Sequence, residues 1–135
     1  MIEFHYETAF ELEEMERYRA WLIQILESEN KTLGSINYVF CDDDYLLRIN
    51  QQYLLHDEYT DIISFDYCIG NEVNGDIFIS VERVKENATQ YRESFTKELQ
   101  RVMAHGVLHY CGYQDKLAQD RAVMRAKEDE KIGLF

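Results

Sequence analysis

Phe95-Thr-Lys-Glu-Leu99-Gln-Arg-Val102-Met103-Ala-His105-Gly-Val107-Leu108-His109-Tyr-Cys111-Gly112-Tyr-Gln-Asp115 is the stretch around which the rest of the chain can be arranged. Leu99, Val102, Met103, Val107, Leu108 and Cys111 recur at helical spacing, so one stripe of a helix over Phe95 to Cys111 faces a core. Gly112 ends that helix, because glycine takes the left-handed conformation after a helix C-terminus at least cost. A last helix covers Ala118 to Lys131, and Ser80 caps one over Val81 to Tyr91. Toward the N-terminus the period changes. Ile2, Phe4 and Tyr6 alternate with polar residues as a half-buried strand, then Leu12, Met15, Tyr18, Leu22, Ile25 and Leu26 form the stripe of a long helix over Phe10 to Glu29. Ser35 to Phe40 reads as a second strand, and Asp42, Asp43 or Asp44 caps a short helix to Tyr53. Ile62 to Tyr67 and Asp76 to Ser80 give two more strands, joined through Gly70, Asn71, Asn74 and Gly75 as a hairpin or a wide loop. About four strands and five helices, strands early and helices late, predict an α+β fold with a mixed four-stranded sheet.

With 135 residues, 46% of them hydrophobic, the chain has the material for one core, and residues 1–135 are expected to form a single domain. No proline, low-complexity stretch or internal repeat marks a linker. The acidic start, Met1 to Glu16, and the lack of a long apolar run predict neither a membrane span nor a secretory leader. Cys41, Cys68 and Cys111 are odd in number and form no CxxC pair, which fits a reducing cytoplasm better than a disulfide framework. Net charge is −12, which argues against simple coating of nucleic acid. Residues 91–135 nevertheless carry 8 basic against 7 acidic side chains, while the rest carries 6 against 19. An acidic body with one less repulsive face can accept a phosphate chain when a bound cation supplies positive charge.

The chemistry lies in the same segment. Four-residue spacing stacks His105 and His109 on one helix face, and the reversal at Gly112 can return Asp115 as a third, oxygen ligand. Three protein donors leave a coordination position open to water, as in catalytic zinc sites. The bland counterpart is a hydrogen-bonded histidine pair with Asp115 capping the last helix. His-x3-His-x2-Gly-x2-Asp looks like the metzincin zinc pattern, yet Gly106 stands where the peptidase base would follow the first histidine, so peptidase chemistry loses its base. What remains is an ion that brings a bound water to a pKa near ~7 and stabilises charge on a phosphoryl oxygen. Two histidines and a carboxylate also match the facial triad of non-haem iron enzymes, but the helix-turn arrangement favours zinc. The expectation is one divalent ion, zinc, on His105, His109 and Asp115. Cys111, two residues from His109, points to a different face and is expected in the core.

The segment resembles the HGxLHLxGYxH signature of the bacterial YbeY endoribonucleases, the ribosomal RNA maturation factors, with Tyr113 matching as well. Thr60-Asp61-Ile62-Ile63-Ser64-Phe65 is similar to that family's TDVLSF strand, Gly75-Asp76-Ile77 to its GDI strand, and Met124 with Glu130 to its C-terminal helix. The resemblance implies a mixed four-stranded sheet with packed helices, a zinc-like ion, and single-strand-specific RNA cleavage. That cleavage would act in 16S rRNA 3′ end maturation and ribosome quality control, with ribosomal RNA and the small subunit as partners. A metal-stabilised ribosome-assembly module that binds without cutting is the alternative. Two departures stand out. Asp115 replaces the usual third histidine with a hard oxygen donor, lowering the charge of the site by one and loosening the preference for zinc. The family's arginine in an Asn-x-x-Tyr-Arg context has no counterpart, because Leu54 follows Asn50-Gln-Gln-Tyr53. Lys116, Arg48 and Arg92 are the candidate replacements, each weighed against a plain solvated charge. His56 and Asp57 are candidate general acid or base residues, against a polar turn. Asp61 and Asp76 either orient a metal-bound histidine or fix turns by hydrogen bonding.

Overall fold

A computed structural model describes residues 1–56 and 59–135. The elements run β1 (Ile2–Tyr6), α1 (Met15–Ser28), β2 (Thr32–Cys41), α2 (Asp43–Leu54), β3 (Ile62–Asp66), β4 (Glu72–Ser80), α3 (Val81–Gln90), α4 (Phe95–Tyr110) and α5 (Ala118–Ile132). The sheet order is β1-β2-β4-β3, with β1 and β4 parallel to β2 and β3 antiparallel to β4, so the sheet is mixed and the fold is α+β. Three of the five helices, α2, α3 and α4, begin at a side-chain cap. The side chains of Asp42, Ser80 and Ser94 accept the backbone N–H of Tyr45, Arg83 and Lys97, satisfying first-turn donors that the helices leave free.

Three element starts differ from the sequence expectation. Helix α1 begins at Met15 rather than Phe10, because Phe10 and Leu12 are used to anchor the segment before it. The Phe10 ring packs against Phe40 and Phe95, buried Leu12 donates its N–H to the Tyr6 hydroxyl, and Glu14 takes a left-handed φ of 57°. Strands β2 and β4 both start earlier than expected, at Thr32 and Glu72. Their first residues pair with each other below an irregularity between Leu33 and Ile36, where the Asn74 side chain accepts the Ser35 N–H. The β3–β4 connection is a tight hairpin turning at Gly70, whose φ is 58°, with Ile69 bridged to Glu72.

Helix α4 lies on the sheet and decides where the site is. Tyr38, fully buried on β2, donates its hydroxyl to the Met103 carbonyl at 2.8 Å, and Tyr110 donates to the Phe65 carbonyl of β3 at 2.9 Å. Between these pins Gly106 faces the sheet: a Cβ there would stand 2.9 Å from Ile77 Cδ1 and 3.2 Å from Ile62 Cδ1. The residue after the first histidine must be small for α4 to dock. This gives a packing reason for the glycine where a peptidase would carry its base. With Met103, Gly106, Val107 and Tyr110 turned inward, His105 and His109 are left on the flank of the helix, facing away from the core.

Candidate metal centre

The turn that completes the site is built from main-chain hydrogen bonds. Gly112 has φ 104°, its N–H reaches the His109 carbonyl at 3.0 Å, and the N–H of Tyr113 reaches the Leu108 carbonyl at 3.1 Å. This pair of bonds is the Schellman motif, which satisfies the terminal carbonyls of α4 and turns the chain back on itself. Two further contacts hold the returning segment in place. The Tyr113 hydroxyl donates to Glu29 at 2.7 Å, and Arg121 of α5 donates to the Lys116 carbonyl at 2.7 Å.

Asp115 comes back over the two histidines. The Nε2 atoms of His105 and His109 are 3.0 Å apart, and Asp115 Oδ2 is 3.1 Å from the first and 3.3 Å from the second. Two ring nitrogens and a carboxylate oxygen meeting at one point need positive charge between them, a proton or a metal ion. Donors around a tetrahedral ion at about 2.0–2.1 Å stand about 3.3 Å from one another, so the triangle has the dimensions of three protein ligands. His105, His109 and Asp115 can therefore hold a metal, and they are the one such His/Cys/Asp/Glu group found among the described residues.

Behind the triangle stands a carboxylate that sequence reading missed. Glu128 of α5, 5% exposed, places Oε2 at 2.6 Å from His105 Nδ1 and Oε1 at 3.3 Å from Arg101 Nη1, while Arg101 Nη2 reaches Asp129 at 2.8 Å. Pairing with a carboxylate puts the His105 ring proton on Nδ1 and leaves the Nε2 lone pair for the shared point. Burial works against the charged form of His105, but the Glu128 carboxylate outweighs it and holds the pKa above the usual histidine value. Nothing in sequence spacing signals this contact, which joins residues 23 apart on different helices.

Neither Asp61 nor Asp76 hydrogen-bonds a site histidine: Asp76 accepts from Asn37 at 3.0 Å across the sheet, and Asp61 accepts from Asn87 at 3.5 Å while its charge acts on His105 through space. Asp61 does line the same cleft, and burial raises its carboxyl pKa. His56 is exposed at the end of α2, its N–H donating to the Asn50 carbonyl, and it is not among the residues lining the cleft; Asp57 lies outside the described residues. None of the three candidate cations lines the cleft, in keeping with the solvated-charge alternative. Arg48 sits over the Tyr45 ring, Arg92 follows α3 with a left-handed φ of 57°, and Lys116 is exposed in the returning segment. Arg101, Arg121 and Arg125 line it instead. Cys111 packs against the core as expected, and burial pushes its thiol up to about 11, so it is protonated at neutral pH.

The cleft in front of the triangle has a volume of about 640 Å³ and is walled by β3, α3 and α5, a concave site of the size that takes small ligands or a few polymer units. A pair of histidines on a sheet-docked helix, a carboxylate returned by a Schellman turn and an adjoining cleft define a hydrolase-like candidate metal centre. Residues 2–134 match the family model described as Endoribonuclease YbeY, and the chain belongs to that family. It is 59% identical over 135 residues to the Endoribonuclease YbeY of Flavobacterium psychrophilum, covering 100% of this chain and 96% of that protein. The corresponding protein of Flavobacterium johnsoniae is 58% identical, covering 100% of this chain and 97% of its own. A solution structure of a Thermotoga maritima protein superimposes with a TM-score of 0.73 at 28% identity, over 99% of this chain and 88% of that one. No helix among the described residues is long and apolar enough to cross a membrane.

Proposed function

We propose that the chain is a metal-dependent, single-strand-specific endoribonuclease, acting in 16S rRNA 3′ end maturation and ribosome quality control in the cytoplasm, with ribosomal RNA and the small subunit as its partners. Family membership supports RNA cleavage as the reaction class. The single observation that carries metal dependence is the triangle of His105, His109 and Asp115, with edges of 3.0–3.3 Å. Zinc is the proposed ion, since two imidazoles and one carboxylate at tetrahedral spacing form one of its common catalytic ligand sets. When bound there, a divalent ion supplies Lewis acidity, lowering the pKa of water and polarising a phosphoryl oxygen.

The residues of the chain do the positioning. Glu128 keeps the His105 proton on Nδ1, Arg101 holds the Glu128 carboxylate in place, and the Schellman turn fixes where Asp115 stands. Replacing His109 with alanine removes one ligand of three without disturbing the buried face of α4. The expected result is joint loss of metal, by elemental analysis, and of cleavage, by assay on an rRNA precursor. Full cleavage by metal-free His109→Ala protein would refute the reading. If only cutting is lost and ribosome maturation in cells survives the same variant, the non-catalytic assembly role is the better one.

A further inference from the structure

The cleft is charged in layers. Its recessed groups are acidic or already paired: Glu98 and Glu128 are buried, Asp61 is half-buried, and buried Arg101 is held between Glu128 and Asp129. At the rim the sign reverses. Arg121 and Arg125 of α5 line the cleft, are exposed, and form no ion pair with a described residue. Among the described residues, half of the 14 basic side chains are paired with carboxylates, and of the other seven only Arg121 and Arg125 line this cleft. One helical turn separates the two arginines, so they share a face and stand about 6 Å apart along the axis. Tyr91, from the end of α3, lines the same cleft, is 54% exposed, and its ring meets no other aromatic ring or cation among the described residues.

We infer that Arg121, Arg125 and Tyr91 form the seat of the RNA strand, the two guanidiniums each taking a backbone phosphate and the tyrosine ring stacking on an unpaired base. The inference rests on the endoribonuclease reading and assigns that reading its substrate contacts. Guanidinium is suited to phosphate because its fork donates two parallel hydrogen bonds. Stacking on one ring requires a base free of its partner, so a duplex gains the phosphate contacts alone and single strands are preferred. The layering also explains how a protein of charge −12 accepts a polyanion: the acids sit back from the strand, and an ion on the histidine triangle offsets them.

The test uses metal-loaded full-length protein and a single-stranded oligoribonucleotide with methylated 2′-hydroxyls, followed by fluorescence anisotropy over a range of salt. Each phosphate contact to a single strand contributes about 0.7 to the slope of log affinity against log salt, so the double variant Arg121→Gln/Arg125→Gln is expected to lose about 1.4 from that slope. Tyr91→Ala is expected to weaken single-strand binding roughly tenfold and to leave duplex binding and the salt slope unchanged. Arg92→Gln, outside the cleft, serves as the control and keeps both. Metal content should be unchanged in Tyr91→Ala and in Arg125→Gln, and Arg125→Gln alone should lose about 0.7 of the slope, a readout independent of the Lys116 carbonyl that Arg121 holds beside Asp115. Wild-type protein that binds RNA with the same slope as the double variant overturns the seat alone. Wild-type protein that neither binds nor cuts single-stranded RNA overturns the endoribonuclease reading and the seat with it.

Discussion

At the scale of single residues, Glu128 carries two tasks that substitution can separate. It accepts the His105 ring proton, and it neutralises Arg101 in a place where both are at most 5% exposed. Glutamine keeps the shape but loses the negative charge, so Glu128→Gln is expected to weaken metal affinity by about 10–100-fold in competition with a chelator, the usual effect of losing a carboxylate behind a ligating histidine. Alanine in addition leaves Arg101 buried beside Asp129 alone, so Glu128→Ala is expected to lower unfolding stability by about 3–5 kcal/mol in urea titration. Unchanged metal affinity in Glu128→Gln would show that the triangle is oriented without it. The contrast with the three ligands shows what a sequence can carry. His105 and His109 are fixed by the helical repeat and Asp115 by a glycine three residues after His109, all local facts. Glu128 is reached only through the packing of α5 on α4, and so are Arg121 and Arg125, whereas the candidates Arg48 and Arg92 lie on surfaces that local spacing cannot distinguish from the cleft.

At the scale of elements, the site depends on how closely α4 approaches the sheet, and two glycines set that approach. Gly106 admits Ile77 and Ile62 against the helix, and Gly75 on β4 admits the Tyr110 ring. A Cβ at Gly75 would fall 2.2 Å from the Tyr110 hydroxyl and 2.7 Å from the Phe65 carbonyl, the very groups whose hydrogen bond pins the helix end. Gly75→Ala is therefore expected to destabilise by about 1–3 kcal/mol, seen as a lower urea midpoint with an unchanged slope. Because Tyr110 follows His109 directly, the same variant should also loosen the histidine pair and reduce metal affinity. Wild-type stability in Gly75→Ala would mean that Tyr110 repacks freely. Element types were legible because period, caps and Gly112 agreed with the final packing. The start of α1 was not, since Phe10 and Leu12 fit the helical stripe yet are spent on contacts with Tyr6, Phe40 and Phe95, which no local pattern reveals.

At the scale of the whole molecule, the two ends of the helical layer are tied by charge. Lys131 of α5, 2% exposed, reaches Glu29 at 2.8 Å and Ser28 at 2.8 Å just past the end of α1, and Glu29 also accepts from Tyr113 in the segment that carries Asp115. A carboxylate so placed links the chain's early helix, its last helix and the metal turn. Burial alone would raise the Glu29 pKa, but hydrogen bonds from Lys131 and Tyr113 prevail and hold it below the ordinary value of 4.5. The sign follows from linkage: a carboxyl with a lower pKa in the folded than in the unfolded state adds stability that is fully present above about pH 4.5 and is lost as pH falls through the folded value. Glu29→Gln is expected to cost about 1.5–3 kcal/mol at neutral pH, the range for a hydrogen bond to a charged group. The difference from wild type should shrink as the solution is acidified below pH 4.5, giving the variant a flatter acid limb in urea titrations run across pH. A difference that stays constant from pH 7 to pH 3 would mean that Glu29 acts by shape and neutral hydrogen bonding, and that the acid sensitivity of the fold is set elsewhere.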